Sequence, residues 1–162
     1  MSSPDRLLAI YLNDHLAGAT VGVELCRRLH ASNNDDEVMS GVLAEICEEI
    51  EADRETLEQL MARVGVRRCR VKTVAAWAGE KLGRLKLNGQ LTGYSPLSRL
   101  VELELLYIGI TGKMQMWRAL ERTLDGTEHG VDLARLAERA GGQRERVEDL
   151  HAIAATRAFA SQ

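Results

Sequence analysis

Two similar stretches decide the fold of this chain, IEADRETL at residues 50–57 and AGGQRERV at residues 140–147. Each carries an Arg-Glu pair inside a half-apolar pattern of helical period. A shift of 90 residues aligns segment 43–60 with segment 133–150, and seven of the eighteen positions are identical. A match of this length indicates an internal repeat, so we expect the two segments to form equivalent helices.

A second pair of segments aligns at nearly the same spacing. With a shift of 91 residues, Leu12, Gly18, Thr20, Arg27 and Leu29 fall on Leu103, Gly109, Thr111, Arg118 and Leu120. Because the two helix pairs agree in spacing to within one residue, the repeated unit is predicted to be a hairpin of two helices.

Composition and periodicity predict an all-α protein. Apolar residues make up 45% of the chain, aromatic residues only 4%, and the two prolines are Pro4 and Pro96, so long helices can run without interruption. The length of 162 residues is typical of one domain, 1–162. Apolar residues at three- and four-residue spacing predict helices over 4–29, 36–64, 73–87, 96–124 and 131–159.

Several classes of protein are not favoured. The net charge of −3 gives no overall reason to expect nucleic acid as a partner. No apolar run reaches the length of a membrane span, and the first residues do not follow a signal-peptide pattern, so we expect a cytoplasmic protein. The odd number of cysteines and the lack of CxxC spacing argue against disulfides and zinc. We expect Cys26 and Cys47 to be small buried residues.

Two helix hairpins joined by a long crossover resemble the ferritin-like superfamily of four-helix bundles, over nearly the whole chain. Residues 80–104, EKLGRLKLNGQLTGYSPLSRLVELE, are also similar to uncharacterised ferritin-like proteins of actinobacterial type. The resemblance implies a ferritin-like bundle whose crossover contains the extra short helix 73–87. It implies a fold and does not specify an activity.

The resemblance also implies where a di-iron centre would lie. Such centres need a Glu from each of two helices and Glu-x-x-His from each of the other two. The Glu-x-x-His motifs would lie in the helices predicted over 36–64 and 131–159. At the Glu and His positions the first of these helices has Ile50 and Asp53, and the other has Ala140 and Gln143. We therefore predict that the metal centre is lost, with no cofactor bound.

The other two helices depart from the family pattern as well. Near mid-length, where the family has a Glu, one carries Gly18, Ala19 and Thr20 and the other carries Gly109, Ile110 and Thr111. Small residues allow helix backbones to approach closely. We therefore expect little space for two ions between these helices.

The arginines that follow the degenerate positions, Arg54 and Arg144, match the family pattern. We interpret Asp53 and Gln143 as a polar pair in the bundle core, with Arg54 or Arg144 as the counter-ion that a buried carboxylate requires. The alternative is that these four residues form a site for a small polar ligand.

One literal Glu-x-x-His occurs, at Glu148 and His151. The equivalent position in the first hairpin is Met61, so the motif lacks its partner. An alternative function is therefore an atypical di-metal carboxylate protein, an oxidase or a metal store, with Asp53, Glu148 and His151 as ligands.

Charge is distributed unevenly along the chain. Residues 35–58 contain ten acids and one Arg, whereas residues 63–86 contain eight bases and one acid. The basic crossover could lie beside the acidic helix, meet the acidic helix of a second copy in a homodimer, or bind an anionic surface. The candidate binding residues are Arg67, Arg68, Arg70, Lys72, Lys81, Arg84 and Lys86.

Together these patterns favour a non-enzymatic bundle with a structural, binding or regulatory role, which forms a homodimer or binds another protein. The di-metal protein and an anionic-surface binding module through residues 67–86 are the alternatives.

Overall fold

The computed structural model describes residues 3–69, 94–124 and 130–159, with side chains from residue 6 onward. These residues form four helices and no strand. The helices are α1 (Ser3–Ala31), α2 (Glu37–Arg63), α3 (Pro96–Thr123) and α4 (Leu133–Phe159). The prediction of an all-α four-helix bundle is confirmed, whereas the predicted short helix over 73–87 lies outside the described residues.

The helix ends have local causes. Asp36 caps α2 by accepting a hydrogen bond from the Met39 amide at 3.0 Å. Ser95 caps α3 in the same way, through the Ser98 amide, and Pro96 occupies the first turn where its missing N–H has no cost. Just after α2, Gly65 adopts a positive φ of 72°, which a residue with a side chain rarely adopts.

The helices pack as two hairpins. The most extensive contact joins α3 to α4, followed by that between α1 and α2. α1 also packs against α3, whereas α2 and α4 touch only slightly. Two hydrophobic clusters fill the bundle, one around Leu29 and Leu103 and the other around Trp117 and Leu60. The small contact between α2 and α4 includes a polar group, in which Arg139 and Gln143 donate hydrogen bonds to Asp53.

A disulfide joins α1 to α2 through Cys26 and Cys47, whose Cα atoms are 5.6 Å apart. The prediction that the cysteines form no disulfide is wrong. The bond is possible because the two residues face each other across the hairpin at a separation that disulfides require. Their spacing along the sequence carries no sign of this. Cys69 lies outside the disulfide and is exposed.

Across residues 3–69, 94–124 and 130–159, none of the helices has both the length and the apolar character needed to cross a membrane. Disulfides persist mainly in oxidising compartments, so the Cys26–Cys47 bond does not favour the expected cytoplasmic location. That location stays a prediction.

Candidate functional site

A buried polar cluster lies at the centre of the bundle. Asp53 comes from α2, Lys113 from α3, and Arg139 and Gln143 from α4. The Lys113 ammonium donates to Asp53 Oδ2 and, at 2.5 Å, to Gln143 Oε1. Gln143 Nε2 donates to Asp53 Oδ2 at 3.2 Å, and Arg139 donates to Asp53 Oδ1. One carboxylate therefore holds three helices together.

The electrostatics of this cluster depend on mutual neutralisation. The side chains of Asp53 and Gln143 are fully buried, and that of Lys113 is 12% exposed. Burial lowers the pKa of the Lys113 ammonium, while the neighbouring Asp53 carboxylate acts in the opposite direction. Two cations, Lys113 and Arg139, share the single charge of Asp53, so these three side chains carry one excess positive charge when all are ionised.

The Asp53–Gln143 pair expected from the sequence is present, but the expected counter-ions are wrong. Arg54 lies 3.9 Å from Glu51, and Arg144 stacks over the ring of Tyr107 at 5.8 Å. Neighbouring residues on a helix differ in direction by about 100°. Arg54, although it lines the same cavity as Asp53, and Arg144 thus turn to partners other than the Asp53 carboxylate.

Lys113 and Arg139 were missed by sequence reasoning, although both carry a spacing signal. Lys113 lies three residues after Ile110 and four before Trp117, both buried, which places it on the inner face of α3. Arg139 lies four residues before Gln143 and so shares its face of α4. A charged residue on the inner face of a helix is the signal that identifies a partner for a buried acid.

Next to the polar cluster is a cavity of about 540 Å³. Its walls come from α1, α2 and α3, and they are mostly apolar side chains and glycines. Asp53 and Lys113 contribute to the wall, so the cavity reaches the polar centre of the bundle.

Four of the lining residues are glycines, Gly18 and Gly22 on α1 and Gly109 and Gly112 on α3. The expectation of little space beside these small residues is wrong, although α1 does pack against α3. Apart from its chain neighbours and the adjoining backbone of its own helix, a Cβ atom added at any of the four would meet no described atom within 4 Å. The missing side chains therefore leave open space at the wall of the cavity, which α1, α2 and α3 line together.

Two polar side chains of the cavity wall have buried hydrogen-bond donors without a partner. Trp117 is completely buried, and its Nε1 has no acceptor among the described residues. Arg54 is only half-buried, but its Nε atom is buried and also has no acceptor among the described residues. Arg99, Arg139 and Arg144 have a buried Nε of the same kind and do not line the cavity, so this feature is not particular to the cavity wall.

His15 and Asp14 lie side by side in the same wall. Burial lowers the pKa of His15, and the negative charge of Asp14 partly offsets this effect. Since its ordinary pKa is already below 7, the imidazole is neutral at neutral pH. Asp14 is exposed and keeps its contact with water.

The residues proposed as ligands in the di-metal alternative are not brought together. Asp53 is bonded to Lys113 and Arg139, whereas His151 Nε2 lies 3.2 Å from Glu104 at the surface and Glu148 is exposed. Nowhere in the described segments do three or more His, Cys, Asp or Glu side chains form a group that could hold a metal ion.

Only the beginning of the basic crossover is described. Arg68 forms an ion pair with Glu58 of α2 at 3.0 Å, and the carbonyl of Arg67 accepts a hydrogen bond from Asn13 at 3.1 Å. The first contact places Arg68 beside the acidic helix α2, and the second places Arg67 beside α1. The remaining candidates lie outside the described residues: Arg70, Lys72, Lys81, Arg84 and Lys86.

A second buried acid, Glu102, lies near the beginning of α3 and was not predicted. Its carboxylate accepts hydrogen bonds from Arg28 at 2.5 Å and from the Tyr94 hydroxyl at 3.1 Å. Burial raises the pKa of Glu102, and the charge of Arg28 acts against this rise. Tyr94 also accepts from Asn33 at 3.4 Å, so the group ties the α1–α2 turn to α3 and is structural.

Comparisons of the chain with models of protein families, with curated proteins and with solved structures found no match.

Proposed function

We propose that this protein is a non-enzymatic, ferritin-like four-helix bundle without a di-iron centre, and that it binds a small, largely apolar molecule in its central cavity. The observation that carries the proposal is the 540 Å³ cavity with apolar and glycine walls. Ligand sites in proteins have volumes of roughly 300–1,000 Å³ and combine apolar walls with a few polar groups.

The ferritin-like part of the proposal is supported by the centre of the bundle. Asp53 and Gln143 are 90 residues apart, which is the spacing of the repeat, and they bond to each other. In an arrangement of two equivalent hairpins, residues near the symmetry axis meet their own equivalents. Gly18 and Gly109, which are also equivalent, lie in the same cavity.

The absence of a di-iron centre is supported by the donors around Asp53. Lys113 supplies a positive charge in the middle of the bundle, directly on the carboxylate. A buried carboxylate needs one compensating charge, and Lys113 and Arg139 already provide two. The predicted homodimer, the protein partner and the anionic-surface role of residues 67–86 stay predictions.

Binding of an apolar probe tests the proposal. We use 1-decanol, with Trp77→Phe as the background so that Trp117, in the cavity wall, is the one fluorescent tryptophan. We expect a saturable change in Trp117 emission. Gly112→Leu fills the cavity and should weaken binding about tenfold or more, a loss of roughly 1.4 kcal/mol.

Gly41→Leu is the matched control, because Gly41 is an exposed helical glycine that does not line the cavity. Both substitutions improve helix propensity equally. Equal decanol affinity for the two variants, or no saturable binding to the parent, would refute the proposed function.

A further inference from the structure

We infer that the ligand of the cavity is an uncharged straight-chain alcohol, a hydrocarbon chain of about twelve carbons that ends in a hydroxyl group. The hydroxyl lies beside Asp14 and His15, and the other end of the chain lies beside Leu25 and Leu106. This inference rests on the proposed binding function. It is carried by the shape of the cavity and by the different polarity of its two ends.

The cavity is elongated. Its lining on α1 extends from Asp14 to Leu25, a rise of about 16 Å at 1.5 Å per helical residue, whereas a sphere of 540 Å³ would measure only about 10 Å across. Its lining on α3 extends from Leu105 to Trp117, which is about 18 Å by the same measure. An extended chain therefore matches the lining better than a compact molecule of the same volume.

The two ends of the cavity border different parts of the core. Leu25, Ile50 and Leu106 line the cavity and belong to one of the two hydrophobic clusters. Leu57 and Trp117 line it as well and belong to the other cluster. The cavity thus runs from one cluster to the other, and a chain that lies in it is roughly parallel to the helices.

The length of the cavity sets the length of the chain. An extended hydrocarbon chain advances by about 1.25 Å per carbon, because its C–C bonds of about 1.5 Å form a zigzag. About twelve carbons therefore fill the distance of about 16 Å from Asp14 to Leu25. A shorter chain leaves apolar wall uncovered, and the additional carbons of a longer chain stay in water.

One end of the cavity is apolar and the other is polar. Leu25, Ile50 and Leu106 are buried apolar side chains at the first end. At the second end, Asp14 is exposed, and His15 makes no hydrogen bond with any described residue. A neutral imidazole has one nitrogen that donates and one that accepts, so a hydroxyl group, which does both, matches it.

The charges of the lining favour an uncharged head group. They are balanced, with two acids, Asp14 and Asp53, and two bases, Arg54 and Lys113. Lys113 and Asp53 bond to each other, and Arg54 lies 3.9 Å from Glu51. A carboxylate at the polar end would lie beside the Asp14 carboxylate, and deeper in the cavity it would lose its hydration. An ammonium group would gain little, because ion pairs with an exposed carboxylate contribute little.

A series of alcohols tests the length of the chain. We use isothermal titration calorimetry of the full chain at neutral pH with 1-octanol, 1-decanol, 1-dodecanol and 1-tetradecanol. Affinity should rise by about fourfold for each added methylene up to 1-dodecanol, because each methylene is buried. 1-Tetradecanol should bind no more than about twofold more tightly than 1-dodecanol, because its last carbons stay in water.

Gly22→Phe tests where the chain ends. Gly22 lines the cavity three residues before Leu25, or about 4.5 Å along α1, so the added ring closes the apolar end. In this variant the rise in affinity should stop at about 1-octanol. Gly41→Phe is the matched control at an exposed helical glycine outside the cavity, and it should leave the series unchanged.

Dodecanoate tests the head group, since it has the same chain length as 1-dodecanol and a negative charge. We expect it to bind about fivefold more weakly than 1-dodecanol. Asp14→Asn removes the negative charge at the polar end and keeps the shape of the side chain, so it should reduce this preference to about twofold.

Each other outcome overturns a definite statement. Affinity that keeps rising through 1-tetradecanol, or the same series in Gly22→Phe as in the parent protein, overturns the inferred chain. Dodecanoate that binds as tightly as 1-dodecanol overturns the uncharged head group. These results leave an apolar binding site in place, whereas the absence of saturable binding for every probe refutes the proposed function as well. Circular dichroism melts verify that each variant folds, and the series with the parent protein needs no variant.

Discussion

The two hairpins of this bundle align with each other, yet they fill its centre differently. Adding 91 to Gly22 of α1 gives Lys113 of α3. Lys113 extends into the centre and bonds to Asp53, whereas Gly22 has no side chain and lines the cavity. Half of the centre is thus occupied by a lysine, and the equivalent half is open.

The arginines of the two hairpins differ in the same way. Arg144 stacks over Tyr107, but the residue equivalent to Tyr107 on α1 is Leu16, since 16 plus 91 is 107. A leucine has no ring face to attract a guanidinium. Arg54 therefore lacks the partner that its counterpart has, and it lies in the cavity wall.

The hairpins are also held together differently. Cys26 and Cys47 form the disulfide of the first hairpin, and the aligned positions in the second are Trp117 (26 plus 91) and Ala137 (47 plus 90). Trp117 and Ala137 belong to one hydrophobic cluster. A covalent bond in one hairpin thus corresponds to a large and a small apolar side chain in the other.

The largest effect is expected when the central carboxylate is removed. Asp53→Ala leaves Lys113 buried without its counter-ion, so we expect the free energy of unfolding to fall by about 3–5 kcal/mol. Urea denaturation measures this loss. Asp14→Asn, at an exposed acid in the same cavity wall, should change stability by less than about 0.5 kcal/mol. A loss below about 1 kcal/mol for Asp53→Ala would mean that the centre does not depend on this pair.

Reduction of the disulfide should have the next largest effect, and it tests the first hairpin alone. The bond closes a loop with a sequence separation of 21 residues, so its reduction should lower the free energy of unfolding by about 3 kcal/mol. Thermal melts with and without a phosphine reductant measure the shift. A Cys47→Ala variant should melt identically in both conditions. A parent protein that is indifferent to the reductant would contradict the Cys26–Cys47 bond.

Glycine substitutions should raise stability, by smaller amounts. An added Cβ at Gly22 or Gly112 meets no described atom of another helix within 4 Å, so Gly22→Ala and Gly112→Ala should each gain about 0.8–1 kcal/mol from helix propensity. Gly65→Ala should have the opposite sign, because Gly65 has a φ of +72°. Differential scanning calorimetry distinguishes the two signs. Destabilisation by Gly22→Ala would show that the space beside Gly22 is not open.

The smallest effect is expected at the beginning of α2 and depends on pH. Hydrogen bonds from Arg157 and from the Met39 amide lower the pKa of Asp36. A lowered pKa means that the stabilisation is present above the unfolded value of about 3.9 and is lost as the pH falls through the folded value. Asp36→Asn keeps the cap but loses the exposed ion pair, which contributes about 0.5 kcal/mol or less at pH 7.

The Asp36→Asn variant should also lose less stability than the parent protein when the pH is lowered below about 4. Urea midpoints at pH 7 and pH 3 measure the difference between the two proteins. Equal acid sensitivity of the two proteins would mean that other carboxylates account for the acid response. Glu102 is not one of them, because its pKa is raised.

Local patterns allowed the helices and part of the central cluster to be predicted. The helix predicted over 36–64 is α2 (Glu37–Arg63), because capping and apolar period act within a few residues of one another. The meeting of Asp53 and Gln143 followed from the repeat. The charged partners of Asp53, Lys113 and Arg139, could not be predicted from the repeat. Their approach to Asp53 depends on how α3 and α4 are rotated about their axes.

By itself, the amino-acid sequence determined the helix positions, the inner face of each helix and the pairing of helices into two hairpins, since these depend on short-range periodicity. The tertiary structure alone decided three features: the Cys26–Cys47 bond, the pairing of Lys113 with Asp53, and the cavity between Gly18 and Gly109. Each depends on the distance between residues on different helices. Periodicity reports the direction in which a side chain points, but not how far away the next helix lies.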